Sequence, residues 1–178
     1  MDERVSEAFA QNERLTVVGK KLQPGERAPD FTLDYFDMVD MAVYGAQLAD
    51  SAGTIRVLSI VNSLDRDICR QQTISWEALR LCSLPPDIYL YTISMDLPYM
   101  YIDWQMAAAI IHQTLSASRN EQFGRDYGIL LKEWHLLQRA VFVIDRDDTI
   151  AYAEYVADQC CEPDYNAALQ VISRISVP

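Results

Sequence analysis

The stretch from Ile55 to Val61 (IRVLSIV) restricts the fold more than any other part of the chain. It is a nearly continuous β-branched and aliphatic run, so a strand here has to be covered on both faces rather than lie against water. The next residues say how. Asn62-Ser63-Leu64-Asp65 is a loop with helix-capping side chains. Ile68, Ile74, Ala78, Leu79 and Leu81 then recur at helical spacing as far as Ser83, and Pro85-Pro86 stops the helix. Asp87 to Ser94 (DIYLYTIS) is a second central strand. A buried strand, a crossover helix and another buried strand form a βαβ unit, whose strands must run parallel.

The flanks extend this unit. Residues 1–12 are polar and charged and read as a loose arm or a short helix. Leu15 to Val18 is β-rich, and Gly19-Lys20 after it signals a hairpin turn. Phe31 to Leu33 is a short strand. Residues 99–114, rich in aromatics and alanine, have helical or irregular spacing, and 119–127 resemble a short surface helix. Arg139 to Asp145 is a third central strand, joined by Arg146-Asp147-Asp148 to a fourth at Thr149 to Val156. Pro163, Tyr165, Ala168, Leu169 and Ile172 mark a closing amphipathic helix. The late hairpin is antiparallel, so the sheet is mixed and flanked by helices. With no repeat, linker or low-complexity tract, residues 1–178 are expected to form one α/β domain.

Charge and cysteines bound the function. The 178 residues carry 26 acidic against 15 basic side chains, a net charge of −11. Nucleic acid and anionic membranes both require clustered Lys/Arg and are not expected partners. Met1-Asp2-Glu3-Arg4 does not open like a signal peptide, and a cytoplasmic setting is expected. Four cysteines (Cys69, Cys82, Cys160 and Cys161) without a Cys-x-x-Cys are too few for a disulfide scaffold and offer no zinc knuckle. No metal and no cofactor are expected. His112 and His135 have no acidic or thiol partner at a telling spacing.

Leu15 to Leu33 (LTVVGKKLQPGERAPDFTL), then a buried strand, a Ser-x-Asp loop and one cysteine opening a helix, resembles the atypical two-cysteine thiol peroxidases. These are a branch of the peroxiredoxin family with a thioredoxin-like fold. The resemblance continues through Ile93 to Pro98, Ser118-Arg119-Asn120, Tyr127-Gly128, Arg139 to Asp145 and Glu162 to Tyr165, and so covers residues 12–175. It implies a thioredoxin-like fold with an N-terminal β-hairpin. Cys69 is implied as the peroxidatic nucleophile and Arg119 as the guanidinium holding thiolate and peroxide. The physical basis is general: a thiolate is the attacking species, and a helix N-terminus favours an anion.

The chain also departs from the family pattern. Asn62 stands at the shielding proline, Arg66 at the hydroxyl position, and Asp67 at a small-residue position where a carboxylate opposes a thiolate. Arginine can donate hydrogen bonds but cannot accept them. Gln105 occupies the place of the resolving cysteine, and Cys82 lies 13 residues along the same helix, about 20 Å away. Cys160 and Cys161 are expected to be packing residues at a strand end. The resemblance therefore implies a peroxidase for hydrogen peroxide or alkyl hydroperoxides that is one-cysteine or impaired, regenerated by thioredoxin or a small thiol. The alternative is a non-catalytic relative that kept the fold and lost the site. Tyr99, Tyr101 and Trp104 read as an interface patch, and a homodimer is expected.

Overall fold

Eleven strands and four α-helices build two sheets in the structure, a computed structural model that describes residues 2–176. The chain opens with β1 (Glu3–Ala10) and β2 (Glu13–Val18), paired antiparallel. This replaces the loose arm or helix expected for residues 1–12; Met1 lies outside the described residues. The hairpin turns at residues 11–12, not at Gly19-Lys20. Gly19, at φ +100°, instead lets the exit of β2 press against the end of the helix over 121–126, where a Cβ would strike the Arg125 carbonyl.

Next come β3 (Thr32–Asp37), β4 (Ala42–Gln47), a 3-10 turn at Leu48–Ser51, and β5 (Arg56–Ile60). Helix α1 (Asp67–Cys82) crosses to β6 (Tyr89–Ser94). Helix α2 (Ile102–Ala107), β7 (Gln113–Ser116), α3 (Glu121–Asp126) and the short strands β8 (Leu130–Leu131) and β9 (Leu136–Leu137) follow. Strands β10 (Ala140–Ile144) and β11 (Ile150–Tyr155) form the late hairpin, and α4 (Tyr165–Ile175) closes the chain. The main sheet has the order β11-β10-β5-β6-β7-β3-β4. Strands β5, β6 and β7 are parallel and the other pairings antiparallel, giving the mixed sheet expected. A smaller antiparallel sheet, β1-β2-β8-β9, lies beside it.

The apolar run of β5 is shared between two layers because successive side chains point to opposite faces. Val57, Val141 and Val143 pack with Trp76 of α1 and with Ala168 and Ile172 of α4. Leu58, Ile60, Phe142 and Ile144 pack with Phe31, Phe123 and Tyr127 on the other side. Trp76 and Tyr165, with ring centroids 5.3 Å apart, join the two helices on the first face. The α1-facing side of β5 and β10 is the one that carries the site.

Candidate active site

Parity along the central strands decides which side chains meet Cys69. Ser59 shares the α1-facing side of β5 with Val57, and Arg139 precedes Val141 and Val143 by two and four residues on the same side of β10. Gln72, buried one turn into α1, donates from Nε2 to Ser59 Oγ at 2.8 Å. Its Oε1 accepts a hydrogen bond from Arg139 Nη1. The same guanidinium donates from Nη2 to Cys69 Sγ at 3.4 Å and to the Gln159 carbonyl at 3.2 Å. Cys69, Gln72, Arg139 and Gln159 are all fully buried. A positive fork is thus fixed to the sulfur at the first turn of a helix. Thiolate, helix N-terminus and guanidinium are complementary charges there.

The loop before α1 is held from two sides. Asp96 accepts from Ser63 Oγ and from the Leu64 N–H, both at 2.7 Å, and from Ser94 Oγ at 2.8 Å. Arg70 donates from Nε to the Leu64 carbonyl at 2.6 Å, and its guanidinium lies 5.7 Å from the Tyr101 ring centre and 5.5 Å from that of Trp104. Val61, Leu64, Ile68, Tyr101 and Trp104 pack around the sulfur. Asn62 is buried and donates to the Leu137 carbonyl at 2.7 Å and to Gln159 Oε1 at 2.9 Å. An amide fits at that position because two acceptors converge on it.

Arg119 does not reach the sulfur. Its side chain is 77% exposed and pairs with Asp34 at 3.7 Å, so the guanidinium on Cys69 is that of Arg139. Arg66 is the N-cap of α1 but makes no capping hydrogen bond; its side chain turns away to lie 5.4 Å over Trp134. Gln105, in α2, accepts from Thr114 Oγ1 at 3.1 Å. Cys82 is exposed at the far end of an unbroken α1. Cys160 and Cys161 are exposed, not packed as expected for a strand end.

Arg139, Gln72, Gln159 and Asp96 are the residues sequence reasoning missed. A signal existed for one of them: a charged residue in register with the inward valines of a fully apolar strand needs a buried partner. Gln72 and Gln159 had none, because Arg139 lies far from Gln72 and Asn62 far from Gln159 along the chain; Asp96 lies in the Ile93 to Pro98 motif, but the loop it holds is more than 30 residues away. His112 is similar. Its Nδ1 donates to Glu77 Oε2 across 35 residues and its Nε2 accepts from Thr92 Oγ1 at 2.8 Å. Burial works to raise Glu77, but hydrogen bonds from Arg80 and from the backbone and ring of His112 outweigh it and hold the carboxyl at about 2. Burial keeps His112 below its ordinary range despite that carboxylate. The pair ties α1 to the start of β7 and stands apart from the sulfur.

Residues 24–153 match the AhpC/TSA family. The chain belongs to that family. It is 40% identical to a thiol peroxidase of Streptococcus gordonii over 162 residues, 90% of this chain and 95% of the relative, and 35% identical to one of Bacillus subtilis over 164 residues, 90% and 93%. Among solved structures, a peroxiredoxin-like protein from Aquifex aeolicus matches with a TM-score of 0.83 at 23% identity, covering 96% of this chain and 98% of that one. A thiol peroxidase from Chromobacterium violaceum matches with a TM-score of 0.79 at 22% identity, covering 94% and 95%. The thioredoxin-like, peroxiredoxin-type fold is therefore shared along almost the entire chain. Among the described residues no helix is long and apolar enough to cross a membrane, and no cluster of His, Cys, Asp or Glu is arranged to hold a metal.

Proposed function

We propose that the chain is a thiol peroxidase that reduces hydrogen peroxide or alkyl hydroperoxides through Cys69. The observation that carries this is the Arg139 Nη2 to Cys69 Sγ hydrogen bond at the first turn of α1. The Cys69 thiolate attacks one peroxide oxygen, the O–O bond breaks, and the leaving oxygen takes a proton to depart as water or an alcohol. Cys69 is left as a sulfenic acid. Arg139 holds the sulfur and the incoming oxygen, the role the resemblance implies for Arg119. Gln72 and Gln159 fix the guanidinium, and Asp96 fixes the loop. Arg66 supplies no hydroxyl and serves as a cation over Trp134.

Thioredoxin or a small thiol is the reductant in this reading, and the cytoplasm is the compartment that supplies one. A second copy of the chain completes the assembly. The surface that supports it is an apolar cleft of about 510 Å³ lined by Phe36, Met38, Met41, Tyr99, Met100 and Met106. One observation favours the non-catalytic alternative: Cys69 is 0% exposed, so peroxide reaches it only when the packing around it, which includes Leu64, Tyr101 and Trp104, moves. Peroxide consumption with dithiothreitol and with thioredoxin, comparing wild type with Cys69→Ser, decides between them. Consumption that Cys69→Ser abolishes establishes the peroxidase. None in either protein establishes the alternative.

A further inference from the structure

Cys160 and Cys161 are two exposed thiols that the reaction above leaves unused. They lie in the turn after β11, closed by the Cys161 N–H to the Asp158 carbonyl at 3.0 Å. This turn is fastened to the Cys69 site at several points. The buried Gln159 side chain accepts from Asn62 Nδ2 at 2.9 Å and from the Arg139 N–H at 2.8 Å. Arg139 Nη2 donates both to Cys69 Sγ and to the Gln159 carbonyl, so the peptide group leading into Cys160 and the peroxidatic sulfur share one amine. Beyond the cysteines, Glu162 accepts from Ser75 Oγ of α1 at 3.4 Å, on the helix that carries Cys69.

The two thiols differ in their surroundings. Cys161 Sγ donates to Asp158 Oδ2 at 3.4 Å. That hydrogen bond raises the Cys161 thiol from its ordinary value, and the Arg139 charge acts on it in the opposite sense. Cys160 instead gives its backbone N–H to Asp158 Oδ1 at 2.9 Å. Only Cys161 therefore holds a sulfur against a carboxylate, which disfavours a resting thiolate but stands where it can accept the proton as the sulfur attacks.

We propose that Cys161 is the resolving cysteine of this chain, attacking the Cys69 sulfenic acid. Asp158 takes the Cys161 proton, the S–S bond forms as the Cys69 S–O bond breaks, and the hydroxyl leaves with that proton as water. The disulfide is returned to two thiols by the dithiol reductant, which is oxidised in turn. This rests on the peroxidase reading of Cys69.

Disulfide geometry requires Cα atoms about 4.4–6.8 Å apart, so the buried first turn of α1 must open towards the Asp158–Cys161 turn. That opening has to release the Asp96 and Arg70 hydrogen bonds that hold the loop before α1, while the helix cap itself adds little to hold it shut. The N-cap of α1, Arg66, contributes no side-chain hydrogen bond, and Asn62 Oδ1 and Arg139 Nε are buried without a partner.

The test treats wild type, Cys160→Ser, Cys161→Ser and Cys69→Ser, all full length, with one equivalent of hydrogen peroxide. Bonds are mapped by non-reducing peptide mass spectrometry, and sulfenic acid is trapped with dimedone. Wild type and Cys160→Ser are expected to give the Cys69–Cys161 linkage and little dimedone adduct. Cys161→Ser is expected to accumulate the Cys69 adduct and to lose an order of magnitude in thioredoxin-supported turnover, with an unchanged circular dichroism spectrum. A bond from Cys69 to Cys82 or Cys160, a Cys160–Cys161 bond alone, or a Cys69 adduct persisting in wild type overturns the resolving role and leaves the peroxidase reading standing. Absence of Cys69 oxidation in every protein overturns both.

Discussion

Arg139→Met removes the guanidinium from the Cys69 sulfur while keeping a long apolar stem on the α1-facing side of β10. A hydrogen bond to a charged group contributes about 1.5–3 kcal/mol, which corresponds to roughly 10- to 150-fold in the rate of peroxide attack. The variant also strands two buried acceptors, Gln72 Oε1 and the Gln159 carbonyl, each at a cost of about 1–3 kcal/mol in stability. Rate and stability must therefore be separated. Arg139→Lys keeps the charge, but a compact ammonium cannot reach the sulfur, Gln72 and Gln159 together, so it should recover part of the rate. The assay is stopped-flow reaction of pre-reduced protein with hydrogen peroxide, followed by tryptophan fluorescence, with thermal unfolding measured alongside. Arg119→Ala is the companion variant. Its ion pair with Asp34 is exposed, so its rate should match wild type. A folded Arg139→Met protein with an unchanged rate, or a loss confined to Arg119→Ala, would refute the assignment.

Other perturbations probe the frame around the site. Glu77→Gln removes the charged acceptor shared by Arg80 and the His112 ring and should cost about 1.5–3 kcal/mol, read as a lower urea midpoint. Glu77 lies at about 2 in the folded protein against 4.5 ordinarily, so it contributes about 3 kcal/mol that is complete above pH 4.5 and lost as pH falls towards 2. His112 is also held low, so stability begins to fall below pH 6.5 as the unfolded chain takes the proton first. Urea midpoints between pH 7 and 3 should decline in wild type and decline less in Glu77→Gln; parallel curves would show that the pair does not carry the effect. Arg66→Thr should cap α1 with about 0.5–2 kcal/mol, against about 0.5–1 kcal/mol lost over Trp134, and should speed peroxide attack. Unchanged kinetics would show that the hydroxyl is not missed. Gly128→Ala should destabilise by more than about 1 kcal/mol in thermal unfolding, because at φ +63° a Cβ meets the Lys20 carbonyl.

How far the sequence could be read depended on where the determining contacts lay. The two-sided strand Arg56–Ile60, helix Asp67–Cys82 and the hairpin of β10 and β11 were legible because period and punctuation are local. Strand β1 reads as an arm in the sequence because its charged residues are paired only by the rest of the fold. Arg4 donates to the Gly128 carbonyl at 2.6 Å, and Lys21 pairs with Glu7 at 2.7 Å. Strand β7 was hidden in a segment whose alternation is weak, and it is held as a strand by pairing with β6.

The same division runs through the site. By itself the sequence determined that Cys69 opens a helix behind a buried parallel strand, since that follows from local periodicity and from the order of motifs. Which guanidinium meets the sulfur was beyond it. Arg119 and Arg139 both sit in motifs of the family pattern, and only strand parity and the β5–β10 pairing turn Arg139 inward while Arg119 faces solvent. The tertiary structure likewise brought the turn carrying Cys161 to a site 92 residues earlier in the chain. Hydrogen bonds through Arg139 and Gln159 close that distance, and no spacing in the sequence records them.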